Sequence, residues 1–231
     1  MRLDKFLSHA GFGSRKEVAK LIKEKRVAVD EKIVKNRNLK LQDKNTVKVD
    51  GDVVILEEWI YFLLNKPKGV ISSTEEGPTK TVIDLIDHPQ SDELFPVGRL
   101  DKDTTGFLIL TNDGKLSYQL LNPKKEIFKT YKATLEKPVS DRDIERLETG
   151  IPLKDFTTKP AKAEKKSDRV VHLSISEGKF HQVKRMFRYL DNEVVELERI
   201  SFGGMELDDL LKRGEYRRLT EDELKFLKNL I

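Results

Sequence analysis

A guanidinium and two carboxylates, Arg99, Asp101 and Asp103, fall within five residues of one another in the stretch Phe95-Pro96-Val97-Gly98-Arg99-Leu100-Asp101-Lys102-Asp103-Thr104-Thr105-Gly106. Apolar runs flank this charged turn. Leu94 to Val97 reads as the end of a strand, and Phe107 to Thr111 as a buried strand. Gly98 and Gly106 bracket the turn and permit backbone geometry that other residues disfavour. The charged groups are thereby presented at the rim of a hydrophobic core. A carboxylate there can act as a nucleophile if it stays ionised while poorly hydrated. Burial alone would raise its pKa, and a nearby cation restores the anion. Many charged loops on sheet edges have this composition and no chemistry, so the turn alone does not specify a reaction.

The surrounding elements must hold that turn. Leu3, Phe6, Leu7 and Ala10 recur at helical spacing, and Gly11-Phe12-Gly13 stops that helix. Ser14 to Glu17 is a capping box that starts a second helix with Val18, Leu21 and Ile22 on its apolar face. Short strands follow at 26–29 and 46–49, and a linker at 51–59. Tyr61 to Ser72 reads as strand, Pro-Lys-Gly turn, strand. The loop 75–78 and a short helix over 81–86 lead to the charged turn. A helix after Asp113 carries Leu116, Leu120 and Leu121. Tyr131, Ala133 and Leu135 share one face of a strand, where a tyrosine is ordinarily part of a core. Ser140 caps a charged helix to Thr149, and Val171, Leu173 and Ile175 alternate on another strand. Phe180, Val183, Phe187 and Leu190 make a helical stripe with Lys184, Arg188, His181 and Arg185 on its flank. Val195 and Leu197 share a strand face; Ile200 and Phe202 have the opposite parity, which puts a bulge near Glu198-Arg199. Thr220 caps a final helix.

The 231 residues suffice for a small domain and a larger one, and 36% charged residues against 37% apolar imply a modest core under a charged surface. No apolar run approaches the roughly 20 residues of a membrane span. The first residues lack the apolar stretch of a signal peptide, and without cysteine there is no disulfide framework or thiolate metal site. A cytoplasmic protein is expected. His181 is disfavoured as a metal ligand, because no second histidine lies one helical turn away and the chain has only four. The net charge of +4 is unevenly spread. Residues 1–50 hold 14 basic and 7 acidic residues, a net of +7, which leaves −3 on the rest. Such a basic segment suits a polyanion, and equally a solubilising face.

Gly98-Arg99-Leu100-Asp101-x-Asp103-Thr104-Thr105-Gly106, followed by an apolar strand and Thr111-Asn112-Asp113-Gly114, resembles the active-site motif of RNA pseudouridine synthases. It is most similar to the RsuA family, which modifies small-subunit ribosomal RNA. The resemblance implies that Asp101 is the essential catalytic residue. Lys129-Thr130-Tyr131 resembles the family's second motif and implies that Tyr131 lies against the target base. His181-Gln182-Val183-Lys184-Arg185-Met186 resembles the third and implies that Lys184 pairs with Asp101. A strand leucine, Leu197, is implied at the site. The opening Arg2-Leu3-Asp4-Lys5-Phe6-Leu7 and the helix start Ser14-Arg15-Lys16 resemble a small RNA-binding module first described in a ribosomal small-subunit protein. Asp30-Glu31 replaces that module's usual Asn-Gly-type turn. Arg15, Lys16, Lys20, Lys23 and Arg26 are its candidate phosphate contacts.

The implied fold is α+β: an RNA-binding domain with linker over 1–58 and a catalytic domain over 59–231. The latter would have a mixed, mostly antiparallel sheet flanked by helices around a central cleft. The implied reaction isomerises a uridine of 16S ribosomal RNA by breaking N1–C1′ and joining C5 to C1′. It needs no cofactor or metal. The base must be extruded, at a cost of about a few kcal/mol, and Arg99 is the candidate for holding it out. Tyr131 would stack on the uracil and take the C5 proton or orient a water that does. Asp103 is expected to structure the loop. Attack by Asp101 at C1′, attack at the base, and proton abstraction from the sugar all stay open. Two other readings stand beside this one: a synthase for large-subunit RNA, and a non-catalytic RNA-binding assembly factor. A monomer acting on a small-subunit precursor or assembly intermediate is expected, with no membrane partner.

Overall fold

The computed structural model describes residues 1–75 and 77–231. Of the expected loop over 75–78, Glu76 lies outside the described residues. The chain divides into two compact units, residues 1–59 with 86–93 and residues 60–85 with 94–231.

In the first unit, α1 (Leu3–His9) and α2 (Arg15–Lys23) precede β1 (Val27–Val29), β2 (Lys32–Ile33), β3 (Val47–Val49) and β4 (Asp52–Val53). The strands pair in the order β2-β1-β3-β4. Leu3, Leu7, Val18, Ile22, Val27, Val29, Val47 and Val49 form their shared core. Ser14 and Glu17 make the capping box expected at the start of α2. Asp30 and Glu31 both adopt left-handed conformations between β1 and β2, as a two-residue hairpin turn requires. Asp30 tolerates this because its carboxylate accepts from the Thr46 N–H and from Asn45. Asp50-Gly51 makes the same kind of turn before β4, so strand pairing extends into the segment read above as linker. Residues 86–93 belong to this unit: His9 Nε2 lies 3.0 Å from an Asp92 carboxylate oxygen.

The second unit is a mixed sheet of nine strands among the described residues. In chain order these are β5 (Tyr61–Lys66), β6 (Phe95–Pro96), β7 (Thr105–Thr111), β8 (Lys129–Leu135), β9 (Lys162–Ser167), β10 (Val170–Ile175), β11 (Val194–Phe202), β12 (Met205–Glu206) and β13 (Tyr216–Arg218). The order along the sheet is β13-β5-β7-β11-β8-β10-β9, with β6 on β7 and β12 on β11. Only β7 and β11 run parallel; the other pairs are antiparallel. The helices are α3 (Gly114–Leu121), α4 (Asp141–Thr149), α5 (Gln182–Tyr189) and α6 (Glu221–Asn229). Strand β7 is buried along its whole length, as its apolar run demands.

Several local expectations are corrected. Residues after Pro67-Lys68-Gly69 do not return as a hairpin partner of β5, whose neighbours are β7 and β13. Ile71 instead makes a single bridge to Thr81, and the helix expected over 81–86 is a 3-10 turn at Ile83–Leu85. Helix α5 starts at Gln182, so Phe180 precedes it and stands exposed. Val195 is exposed while Leu197 is buried, because the register of β11 shifts between Val194 and Glu196. A second shift between Arg199 and Ser201 lies next to the expected bulge.

Gly106 is where the parallel strands meet, opposite Arg199. Its φ is +100°, and a Cβ there would collide with the Arg199 backbone carbonyl. Gly106→Ala should therefore cost about 2–4 kcal/mol of unfolding free energy, measurable by urea denaturation.

Candidate active site

The loop carrying Arg99, Asp101 and Asp103 hangs between β6 and β7 and is held from below by backbone contacts. Ser72 Oγ donates to the Leu100 carbonyl and accepts from the Leu100 N–H, each at 3.1 Å. The Gly69 N–H donates to the Lys102 carbonyl at 2.8 Å. Thus the Pro-Lys-Gly segment after β5 buttresses the loop.

Lys66, the last residue of β5, has no solvent exposure at all. Its ammonium donates to the carbonyls of Thr104 at 2.8 Å, Asp101 at 3.0 Å and Pro67 at 3.1 Å. Burial lowers its pKa to about 8, against the opposing pull of Asp103 and Asp101. The sequence reading left this lysine out. The signal available was a lysine ending an otherwise buried strand, just before a tight turn.

Above the loop, α5 supplies Lys184. Its ammonium donates to Asp101 Oδ2 at 2.9 Å and to Asp103 Oδ1 at 2.6 Å, with the lysine side chain only 16% exposed. Burial works to lower Lys184, but its hydrogen bonds to Asp103 and Asp101 prevail and hold it above the usual lysine range. Burial would raise Asp103, yet the bond from Lys184 holds its carboxyl below the ordinary value. His181 adopts a left-handed conformation just before α5, stacks on Phe180, and brings Nε2 to 3.6 Å from Asp101 Oδ1. It too was missed as a neighbour of the aspartate: the helical reading put it on the flank of Lys184 but inside the helix, whereas it precedes α5 in a left-handed conformation.

One pocket is lined by Arg99, Asp101, Tyr131, Lys184 and Leu197, together with His181, Ile175 and Val183. All five residues singled out for this site therefore converge. Tyr131 and Leu197 are buried, from β8 and β11, and Arg99 is exposed. The five basic residues of the first unit are all exposed. Lys16, Lys20 and Lys23 lie on one face of α2. Arg26 is forked onto Asp50, which neutralises it, whereas Arg15, Lys16 and Lys23 form no ion pair among the described residues. No group of three or more metal-ligating side chains occurs among the described residues. No helix there is long and apolar enough to cross a membrane.

Comparison with known proteins decides the family. A model described as RNA pseudouridylate synthase matches residues 60–189, and one described as S4 domain matches residues 1–47. The chain belongs to the RNA pseudouridine synthases. It is 48% identical to the uncharacterized RNA pseudouridine synthase YtzG of Bacillus subtilis, over 98% of each chain. It is 43% identical to the ribosomal small subunit pseudouridine synthase A of Escherichia coli, over 97% of this chain and 98% of that one. A crystal structure of a pseudouridylate synthase superposes with a TM-score of 0.71 at 39% identity, covering 98% of this chain and 99% of the other. Membership makes this synthase an isomerase with an RNA substrate and an RNA-binding S4 domain.

Lys66→Met in this synthase leaves the loop carbonyls of Asp101 and Thr104 and the neighbouring Pro67 carbonyl without their donor, and should cost about 2–4 kcal/mol in chemical denaturation. The pH response checks the cause. The charged form is penalised in the folded state, so the unfolded chain binds the extra proton between pH 8 and the ordinary lysine value of 10.5. Wild-type stability should therefore rise with pH across that interval. The rise should shrink in Lys66→Met without vanishing, since Lys129 is lowered to about 8 as well.

Proposed function

We propose that this synthase isomerises a uridine of small-subunit 16S ribosomal RNA, with Asp101 as the catalytic carboxylate. The observation that carries the reading is the Asp101–Lys184 pair, 2.9 Å apart, in a pocket that Tyr131 and Leu197 also line. The ammonium sets a counter-charge against the carboxylate in a partly dehydrated pocket, an arrangement suited to a carboxylate that attacks a nucleotide. Tyr131 offers a flat apolar face for uracil and a phenol near its edge. In this role it stacks on the base and takes the C5 proton or orients the water that does. Exposed Arg99, on the rim, holds the extruded nucleotide. Asp103 shares Lys184 and so fixes the ammonium as well as the loop. The isomerisation is redox-neutral and transfers no group from a donor, so these side chains suffice.

The choice of small-subunit RNA is supported by the relatives named for that substrate, which match along nearly the whole chain. The exposed lysines on α2 would grip RNA phosphates without reading sequence. We place the protein in the cytoplasm, as a monomer acting on a precursor or assembly intermediate of the small subunit.

Chemical mapping of pseudouridine in ribosomal RNA, from cells with and without the protein, tests the substrate. One small-subunit uridine should lose its modification, and an unchanged map would remove the reading. Asp101→Asn should lower product formation by at least about 10³-fold while RNA affinity stays within about twofold. A variant that turns over at the wild-type rate would exclude Asp101 as the reacting group.

A further inference from the structure

A cavity of about 550 Å³ opens beside the Asp101 pocket, which measures only about 70 Å³. The two share Arg99, Tyr131, Gly178 and Lys179. The smaller pocket has room for the edge of a base but not for a whole nucleotide. The rest of the substrate must go somewhere, and the adjoining cavity is lined by cations.

Arg199 and Lys129 are the two that matter. Arg199 is 3% exposed; its Nε donates to the Phe107 carbonyl at 2.8 Å, while its Nη2 is buried without a hydrogen-bond partner. A buried N–H left unpaired is costly, and such groups call for an explanation. Lys129 has no acidic partner among the described residues. Its ammonium lies 5.7 Å from the centre of the Phe202 ring, and the Arg199 guanidinium lies 5.8 Å from the same centre. Burial, with Arg199 close by, lowers Lys129 to about 8.

Strand register explains the arrangement. Arg199 sits opposite Tyr131, and Lys129 is two residues from Tyr131 on the same face of β8. The acid of the cavity, Glu177, is already engaged by the Lys159 N–H at 2.9 Å and by Gln182 Nε2 at 2.7 Å. The Lys159 ammonium is in turn paired with Glu126. Neither Arg199 nor Lys129 forms an ion pair among the described residues, and both line the cavity beside Tyr131.

We propose that this cavity binds a backbone phosphodiester next to the nucleotide held at Asp101, with Arg199 and Lys129 as its two ligands. A phosphate oxygen would give Nη2 its missing acceptor, and a planar guanidinium suits phosphate geometry. The same anion would offset the repulsion between the two cations. A base seated against Tyr131 leaves its own or the next phosphate within one nucleotide's length of these groups. The inference rests on the proposed function only in taking the phosphate to belong to RNA.

Two measurements on the full chain test it. Inorganic phosphate is titrated while the Lys129 side-chain resonance, assigned by its loss in Lys129→Met, is followed by NMR. A saturable shift is expected, and a resonance that does not move overturns the site. The second measurement is kcat and KM for pseudouridine formation in small-subunit ribosomal RNA. Lys129→Met should raise KM about tenfold or more, by more than it lowers kcat, and Lys129→Arg should restore most of the loss. A Lys129→Met protein that unfolds at the wild-type temperature and keeps the wild-type KM overturns the proposal. If the wild-type protein forms no pseudouridine, the substrate reading fails, and the phosphate titration decides the cavity by itself.

Discussion

One ammonium group shared by two carboxylates sets the terms for everything around it. Lys184 reaches both Asp101 and Asp103, and its side chain is itself only 16% exposed, so one half-buried cation orders both acids. The arrangement leaves one net negative charge on three groups. That surplus is useful if Asp101 is to react, because a fully compensated carboxylate would be a poorer nucleophile. The His181 imidazole, 3.6 Å away, and the Arg99 guanidinium on the rim face the same space. Asp103 would keep the ammonium anchored if Asp101 turned toward a substrate.

Such a cluster has to be fixed by parts of the chain far apart in sequence. The aspartates arrive on a loop, the lysine on a helix 81 to 83 residues later. The loop is prevented from relaxing by Lys66, whose charge is used up on backbone carbonyls rather than on the carboxylates nearby. The strand that leaves the loop, β7, packs so closely on β11 that only glycine fits at position 106. The same contact brings Arg199 against Phe107, and the antiparallel pairing of β11 with β8 sets Tyr131 opposite Arg199. Strand β11, parallel to β7 on one side and antiparallel to β8 on the other, thus ties the loop to the tyrosine and the cation cavity.

What could be read in advance follows from how local each signal is. Alternation placed Tyr131, Ala133 and Leu135 on one buried face, and the capping boxes at Ser14, Ser140 and Thr220 mark helix starts that the structure has. The architecture and the convergence of Asp101, Tyr131 and Lys184 came from motif resemblance, since no periodicity links residues so far apart. Non-local and backbone-specific features escaped. Nothing near Lys66 says that its amine turns inward, because apart from the adjacent Pro67 carbonyl its acceptors, at Asp101 and Thr104, are more than thirty residues away. Apolar spacing pulled Phe180 and His181 into α5, yet His181 has a φ of +49° and stands outside the helix. The shift at Val194–Glu196 reverses the face of Val195, and a parity count cannot see a bulge.

The basic excess is concentrated at one end of the sequence. Residues 1–50 carry a net +7 and the remainder −3, so that excess lies in the segment that holds the S4 match, residues 1–47. The unit of residues 60–85 with 94–231 holds 30 basic and 27 acidic residues, a net of only +3 spread among its own acids. It would hold a strand close to those acids by setting cations locally against individual phosphates. Arg99, Lys129 and Arg199 form no ion pair among the described residues, and all three line the larger cavity, which shares Tyr131 with the Asp101 pocket. Lysines spread over an exposed helix suit any RNA, whereas a buried guanidinium with one unmet N–H suits a phosphate in one place. On the proposed reading the first arrangement would supply affinity and the second register, and a strand in register would bring a uridine to Asp101.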